Sequence, residues 1–152
     1  MKQSAGILLY KIENKELYVL LAHPGGPFWK NKDNGAWTIP KGEIAEGEEP
    51  LLAAKREFFE ETGFEITGEC WQLESIKQKG GKLVHAWAVE QNLDVTQLHS
   101  NTFEMEWPPR SGKKQSFPEI DKAQWFTVEE ALVKILEAQK SFVLEVQTLL
   151  RK

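Results

Sequence analysis

Hydrophobic and polar positions along the chain fall into two alternating kinds of segment. Ser4 to Lys11 and Glu16 to Ala22 are short runs rich in leucine, isoleucine and valine, joined by Glu13-Asn14-Lys15, the signature of a β-hairpin within one sheet. Trp37 to Ile39 predicts a short strand closed by Pro40. Gln72 to Gln78 and Lys82 to Glu90 predict two more strands, with Lys79-Gly80-Gly81 as the turn between them. Asp121 to Phe126 predicts the last. Helical periodicity occupies three other stretches. Pro50 opens one at a first-turn position, where its missing N–H costs nothing, and Gly63 follows Thr62 as a stop signal. Thr127-Val128-Glu129-Glu130 is a capping box starting a helix that runs to about Glu137, and Ser141 to Leu150 predicts another helix or its continuation.

Two segments carry turn chemistry instead. His23 to Ala36 holds Pro24-Gly25-Gly26-Pro27 and Asn31-Lys32-Asp33-Asn34-Gly35, with Phe28 and Trp29 between them. Long loops in compact domains are usually functional or disordered, and adjacent aromatics favour function. Asn101 to Pro118 is rich in Glu, Pro, Lys and Arg, contains Trp107 and Arg110, and is expected to be a loop.

At 152 residues, 41% hydrophobic and 28% charged, the chain has the size and composition of one globular domain, expected over 1–152. No apolar run approaches the ~18 residues of a membrane span, and Ile7 to Tyr10 is too short for a signal-peptide core. The lone Cys70 excludes an intramolecular disulfide, and a reducing, cytoplasmic setting is expected. A net charge of −4 argues against a protein that grips nucleic-acid backbone, leaving an RNA 5′ end as the nucleic-acid substrate still open. The residue pattern sets no oligomeric state.

Glutamate dominates the acidic residues, with aspartate only at Asp33, Asp94 and Asp121. On a helix from Pro50 to Thr62, 100° per residue would gather Leu51, Leu52, Ala54, Phe58 and Phe59 into a buried apolar arc. It would set Ala53, Glu57, Glu60 and Glu61 on the opposite, solvated arc, spread over about 100°. Like charges at these spacings repel. The bland reading is a solvated acidic face; the sharper one is a divalent-cation site.

The frame around the helix favours the second. Gly42, five residues, Glu48, seven residues, Arg56-Glu57, Phe58, Phe59, Glu60-Glu61, Thr62, Gly63, Phe64 resembles the Nudix box without a departure, and Trp37-Thr38-Ile39-Pro40-Lys41-Gly42 resembles the segment that precedes it in that family. The resemblance implies an α+β fold, an α/β/α sandwich with a mixed β-sheet flanked by helices. It implies Mg²⁺, with Mn²⁺ as a substitute, held by Glu57, Glu60 and Glu61, with Glu48 and the Gly42 carbonyl supporting or joining the set. Arg56 is implied to orient these carboxylates by ion pairing, a task that suits a rigid guanidinium fork. The implied reaction is hydrolysis of a diphosphate bond, which needs charge neutralisation and an activated water.

The proton acceptor for that water is either a box glutamate, Glu57 or Glu60, or one from a distal loop: Glu104, Glu106 or, favoured by its place before the last strand, Glu119. The substrate is expected to be nucleotide-like, a nucleoside triphosphate or dinucleoside polyphosphate foremost, with Lys41, Trp29, His85, Trp107 and Arg110 as candidate contacts. Trp87 is a further candidate for stacking a base, whereas Trp37, Trp71 and Trp125 are expected in the core. His23 and His99 are expected in loops. The tyrosine expected downstream of the box in diadenosine polyphosphate hydrolases is missing, as is the proline typical of the ADP-ribose group. A non-catalytic nucleotide-sensing module is the alternative, but such modules usually lose box glutamates, and all four stand here.

Overall fold

The computed structural model describes residues 2–150. Its elements, in chain order, are β1 (Gln3–Glu13), β2 (Glu16–Pro24), β3 (Lys41–Glu43), α1 (Pro50–Thr62), β4 (Cys70–Gln72), β5 (Ile76–Lys77), β6 (Leu83–Glu90), β7 (Thr102–Glu106), β8 (Lys114–Pro118), β9 (Ile120–Thr127), α2 (Val128–Lys134) and α3 (Lys140–Leu150). Seven strands form one sheet ordered β4-β6-β1-β2-β9, with β3 also paired to β1 and β5 to β6. The β1–β6 pair is parallel and its neighbours are antiparallel, so the sheet is mixed.

Strand β1 is buried continuously from Ser4 to Tyr10, as a strand covered on both faces must be. Leu8 and Tyr10 point into a core shared with Ala131, Phe142, Val143 and Val146 of α2 and α3. Ala5, Ile7 and Leu9 point the other way, onto Ala53, Ala54 and Phe58 of α1. Helices therefore cover both faces of the sheet, as the α/β/α expectation requires. Complete burial of Phe58 alone contributes ~1.5–3 kcal/mol to docking α1.

The docked face of α1 differs from the expected one. Ala53 is buried, whereas Leu52 and Phe59 are 56% and 49% exposed. The reason is the position of the sheet. It centres on Ala54 and Phe58, and Glu61, seven residues from Ala54, lies only about 20° from it around the helix. Glu57 and Glu61 thus share the buried arc instead of opposing it. Gly63 ends the helix in the left-handed conformation at φ 83°, its N–H donating to the Phe59 carbonyl at 2.8 Å.

Four other expectations are corrected. Trp37 to Ile39 forms only isolated bridges, Thr38 to Ala22 and Trp37 to Ile135, because Trp37 pairs with the end of α2 through Lys134 and Leu136; the true strand, β3, begins after Pro40. The stretch from Gln72 to Gln78 is broken between β4 and β5, where Leu73 turns into the core. The expected loop from Asn101 to Pro118 is a hairpin, β7 paired with β8 in full register. Trp71 is 54% exposed on the outer strand, not in the core. No helix among the described residues is long and apolar enough to cross a membrane.

Candidate functional site

The loop before α1 is tied down by one residue. Arg56 donates from Nε and Nη2 to both oxygens of Glu48, at 2.8 and 2.9 Å, from Nη1 to Glu60 at 2.9 Å and Glu57 at 3.4 Å, and from Nη2 to the Glu43 carbonyl at 3.1 Å. The fork on Glu48 is bidentate, the geometry that only a guanidinium provides. Glu48 also accepts from the Ala45 N–H at 3.0 Å. These donors hold its carboxyl down to about 2, the Arg56 side chain foremost.

Gly42 passes beneath the carboxylate of Glu57 so closely that a Cβ on it would overlap the Glu57 carboxyl group. Desolvation pushes Glu57 upward, opposed by Arg56 and reinforced by the charges of Glu60 and Glu119. Glu61 is pushed further, to about 9, by burial first and then by Glu57 and Glu119; the Lys41 ammonium and a hydrogen bond from the Lys41 N–H offset this only in part. Lys41 itself is shifted down, by burial and then by Lys82.

Glu119 reaches this cluster through a backbone relay. The Asn101 N–H donates to the Glu60 carbonyl at 2.7 Å, the Glu119 N–H to the Asn101 carbonyl at 2.8 Å, and the Gly25 N–H to the Glu119 carbonyl at 3.0 Å. The position of Glu119 is thereby coupled to the C-terminal turn of α1. Its carboxyl is raised by partial desolvation and by Glu60. Lys41, Glu61, Glu119, Thr38 and Pro24 line a cleft of about 140 Å³.

Lys41, Gly42, Glu48, Arg56, Glu57, Glu60, Glu61 and Glu119 are therefore brought together. Other candidates lie further out. The ring nitrogens of His85 are engaged by Ser75 Oγ at 2.7 Å and Gln3 Oε1 at 2.8 Å, on the opposite side of β1 from β3. Arg110 is exposed at the tip of the β7–β8 hairpin, its N–H donating to Glu106. Trp29 has the Lys32 ammonium 5.2 Å from its ring centre, and Trp107 meets Phe28 edge-on at 5.6 Å. Trp87 is 7% exposed in the α1-side core. His23, expected in a loop, is instead buried near the end of β2 and meets Asp121 Oδ1 at 2.9 Å.

The donor set suits a hard divalent cation. Several carboxylates are desolvated side by side, and among the described residues no guanidinium contacts Glu61 or Glu119 to relieve their repulsion. Oxygen ligands of this kind are what Mg²⁺ takes. As the side chains stand, with Arg56 engaging Glu57 and Glu60, no three acidic, histidine or cysteine groups among the described residues converge at ligand distance.

Comparison with known proteins agrees with this geometry. A NUDIX domain is matched over residues 2–146. The fold is shared with an Ap4A hydrolase of C. elegans, in a binary complex, at a TM-score of 0.69 and 22% identity over 97% of this chain and 98% of that one. It is also shared with the NUDIX domain of Shewanella oneidensis NrtR complexed with ADP ribose, at 0.64 and 16% identity over 98% and 86%. MutT, from a study of the Aliivibrio salmonicida and Vibrio cholerae proteins, aligns at 0.58 and 17% over 95% and 94%. A comparison with curated proteins returned no match. With the domain match running from β1 into α3, the chain belongs to the Nudix family, whose chemistry is hydrolysis of phosphorus-containing anhydrides.

Proposed function

We propose that the chain is a Mg²⁺-dependent pyrophosphohydrolase acting on nucleoside triphosphates or dinucleoside polyphosphates. The observation that carries this reading is the relay from Glu60 through Asn101 to Glu119, which sets a carboxylate of raised proton affinity across a narrow cleft from the box glutamates. The similarity of fold to an Ap4A hydrolase and to MutT supports the same substrate range.

In this reading Glu57, Glu60 and Glu61 would hold the ion, with Glu48 and the Gly42 carbonyl as supporting groups. What a bound Mg²⁺ supplies is neutralisation of the diphosphate charge and a more acidic water. The chain does the rest. Arg56 fixes Glu48 and restrains Glu60, so that the carboxylates start from one arrangement. Lys41, lining the cleft, adds positive charge for a phosphate. Glu119 takes the proton from the attacking water, and its upward shift makes it a stronger base than an exposed carboxylate.

The test is release of phosphate and pyrophosphate from a panel of nucleoside triphosphates, diadenosine polyphosphates, ADP-ribose and triphosphorylated RNA, with products identified by chromatography. Glu60→Gln should abolish turnover, and Glu119→Gln should lower kcat by ~10²–10⁴-fold with little change in KM. Tight nucleotide binding without turnover on any substrate would replace this reading with the sensing module.

A further inference from the structure

Next to the carboxylate cleft, along the segment from Pro118 to Asp121, lies a cavity of about 620 Å³ between the loop after β2 and the β7–β8 hairpin. That volume is in the range of small-molecule sites, ~300–1,000 Å³. Lys30 and Asn31 of the loop and Trp107, Gln115 and Phe117 of the hairpin line its walls, and Asp121 stands at its base. The walls are clasped together by the edge contact of Phe28 with Trp107 at 5.6 Å. The Gly25 N–H on the Glu119 carbonyl ties the root of the loop to that segment.

Asp121 is held from behind. The His23 side chain is 2% exposed; its Nε2 donates to the Lys32 carbonyl at 2.6 Å, and its Nδ1 meets Asp121 Oδ1 at 2.9 Å. Its ring rests edge-on against Trp37 at 5.2 Å. A buried imidazole thus fixes the carboxylate on one side and the loop on the other. Asp121 is the one acidic side chain lining the cavity. A carboxylate only accepts hydrogen bonds, so what it selects is a ligand edge that carries N–H groups.

We propose that this cavity is the base subsite of the enzyme and takes a nucleobase with an exocyclic amino group, with Asp121 as its specificity-determining residue and His23 as the positioning residue. The proposal rests on the hydrolase reading for the place of the phosphates. Glu119 and Asp121 are two residues apart, ~7 Å along an extended chain, so a base in the cavity leaves its phosphates at the cleft. Trp107 and Phe117 offer aromatic surface, and Asn31 and Gln115 can donate or accept at the remaining base edges.

The experiment is calorimetric titration of the full chain with AMP, GMP and IMP, which have no diphosphate bond to cleave. AMP or GMP should bind about tenfold or more tightly than IMP, the gain expected of a hydrogen bond to a charged acceptor. Asp121→Asn should erase that margin. Trp107→Ala, at the exposed hairpin, should weaken all three by about tenfold, with thermal melts verifying the fold of each variant. Equal binding of the three nucleotides by the wild-type chain, an unchanged margin in Asp121→Asn, or unchanged affinity in Trp107→Ala would each overturn the proposal. A chain that hydrolysed nothing would still show the margin, and a competent hydrolase without it would lose only the subsite.

Discussion

Replacing Gly42 by alanine separates stability from catalysis. Gly42 pairs with Ala5 in β3, and its φ lies outside the left-handed region, so alanine fits the backbone. Such a change ordinarily stabilises by ~0.4–1 kcal/mol, by restricting the unfolded chain. Here the new Cβ would fall inside contact distance of the Glu57 carboxyl group, which must withdraw by about an ångström or more to reach ordinary non-bonded separation. The Glu57 side chain is 14% exposed and is held by Arg56 only through a long 3.4 Å contact, so it can rotate, and the two effects should nearly cancel. We expect a net change within ~1 kcal/mol, or ~2–4 °C in Tm for a chain of this size. Displacement of a positioned group by about 1 Å costs ~10²-fold in rate. Pyrophosphate release at saturating Mg²⁺ should therefore fall by about that factor while the melt barely moves. Activity within about threefold of wild type would refute the placement of Glu57 at the reaction centre. A collapse of Tm would show that Gly42 serves packing instead.

Other expectations follow from the same cluster. Glu61 is raised from 4.5 to about 9, so the folded state binds its proton more tightly than the unfolded state, and stability of the metal-free chain should fall as pH rises across that window; Glu61→Gln should flatten the Tm-against-pH curve and abolish turnover, and parallel curves would remove Glu61 from the desolvated set. Glu48 is depressed to about 2, so its contribution is present above its ordinary value and lost as pH falls through about 2. Arg56→Lys, which cannot reproduce the bidentate fork, should move the acid-unfolding limb to higher pH and lower turnover ~10–100-fold; acid titration followed by circular dichroism checks the first part. Trp29→Ala should raise KM more than it lowers kcat, and unchanged steady-state kinetics would return Trp29 to the surface.

Hydrophobic periodicity was enough to locate β1, β2, β6, β9 and α1, because each buries a run whose period the chain displays directly. Periodicity misplaces Leu52, Phe59 and Ala53 because it centres the buried arc on the most hydrophobic side chains, whereas α1 turns two glutamates toward the sheet. The β7–β8 hairpin was hidden by its composition. Thr102 to Glu106 alternates exposed and half-buried positions, but Glu, Lys and Gln on the outward positions, with Pro118 at the strand end, mask the pattern. The box spacing pointed to side chains that the fold gathers at one place, and Glu119 stood out by its position before β9. The relay through Asn101 and the His23–Asp121 pair were not legible, since both are tertiary contacts between segments far apart in sequence.

The parallel pairing of β1 with β6 sets an order of assembly. Gln3 is matched with Leu83 and Tyr10 with Glu90, so the loop that must close spans about half the chain, and α1 lies inside it. The surface on which α1 docks is made partly by Ile7 and Leu9 and partly by Trp87 and Val89. A nascent chain that has emerged only as far as the turn before β6 carries every box glutamate but lacks half of the platform beneath them. Closing such a long-range contact is slow compared with forming a local helix. The acidic centre is therefore completed late, no earlier than the addition of β6, and chemistry waits longer still, for the segment that carries Glu119 and leads into β9.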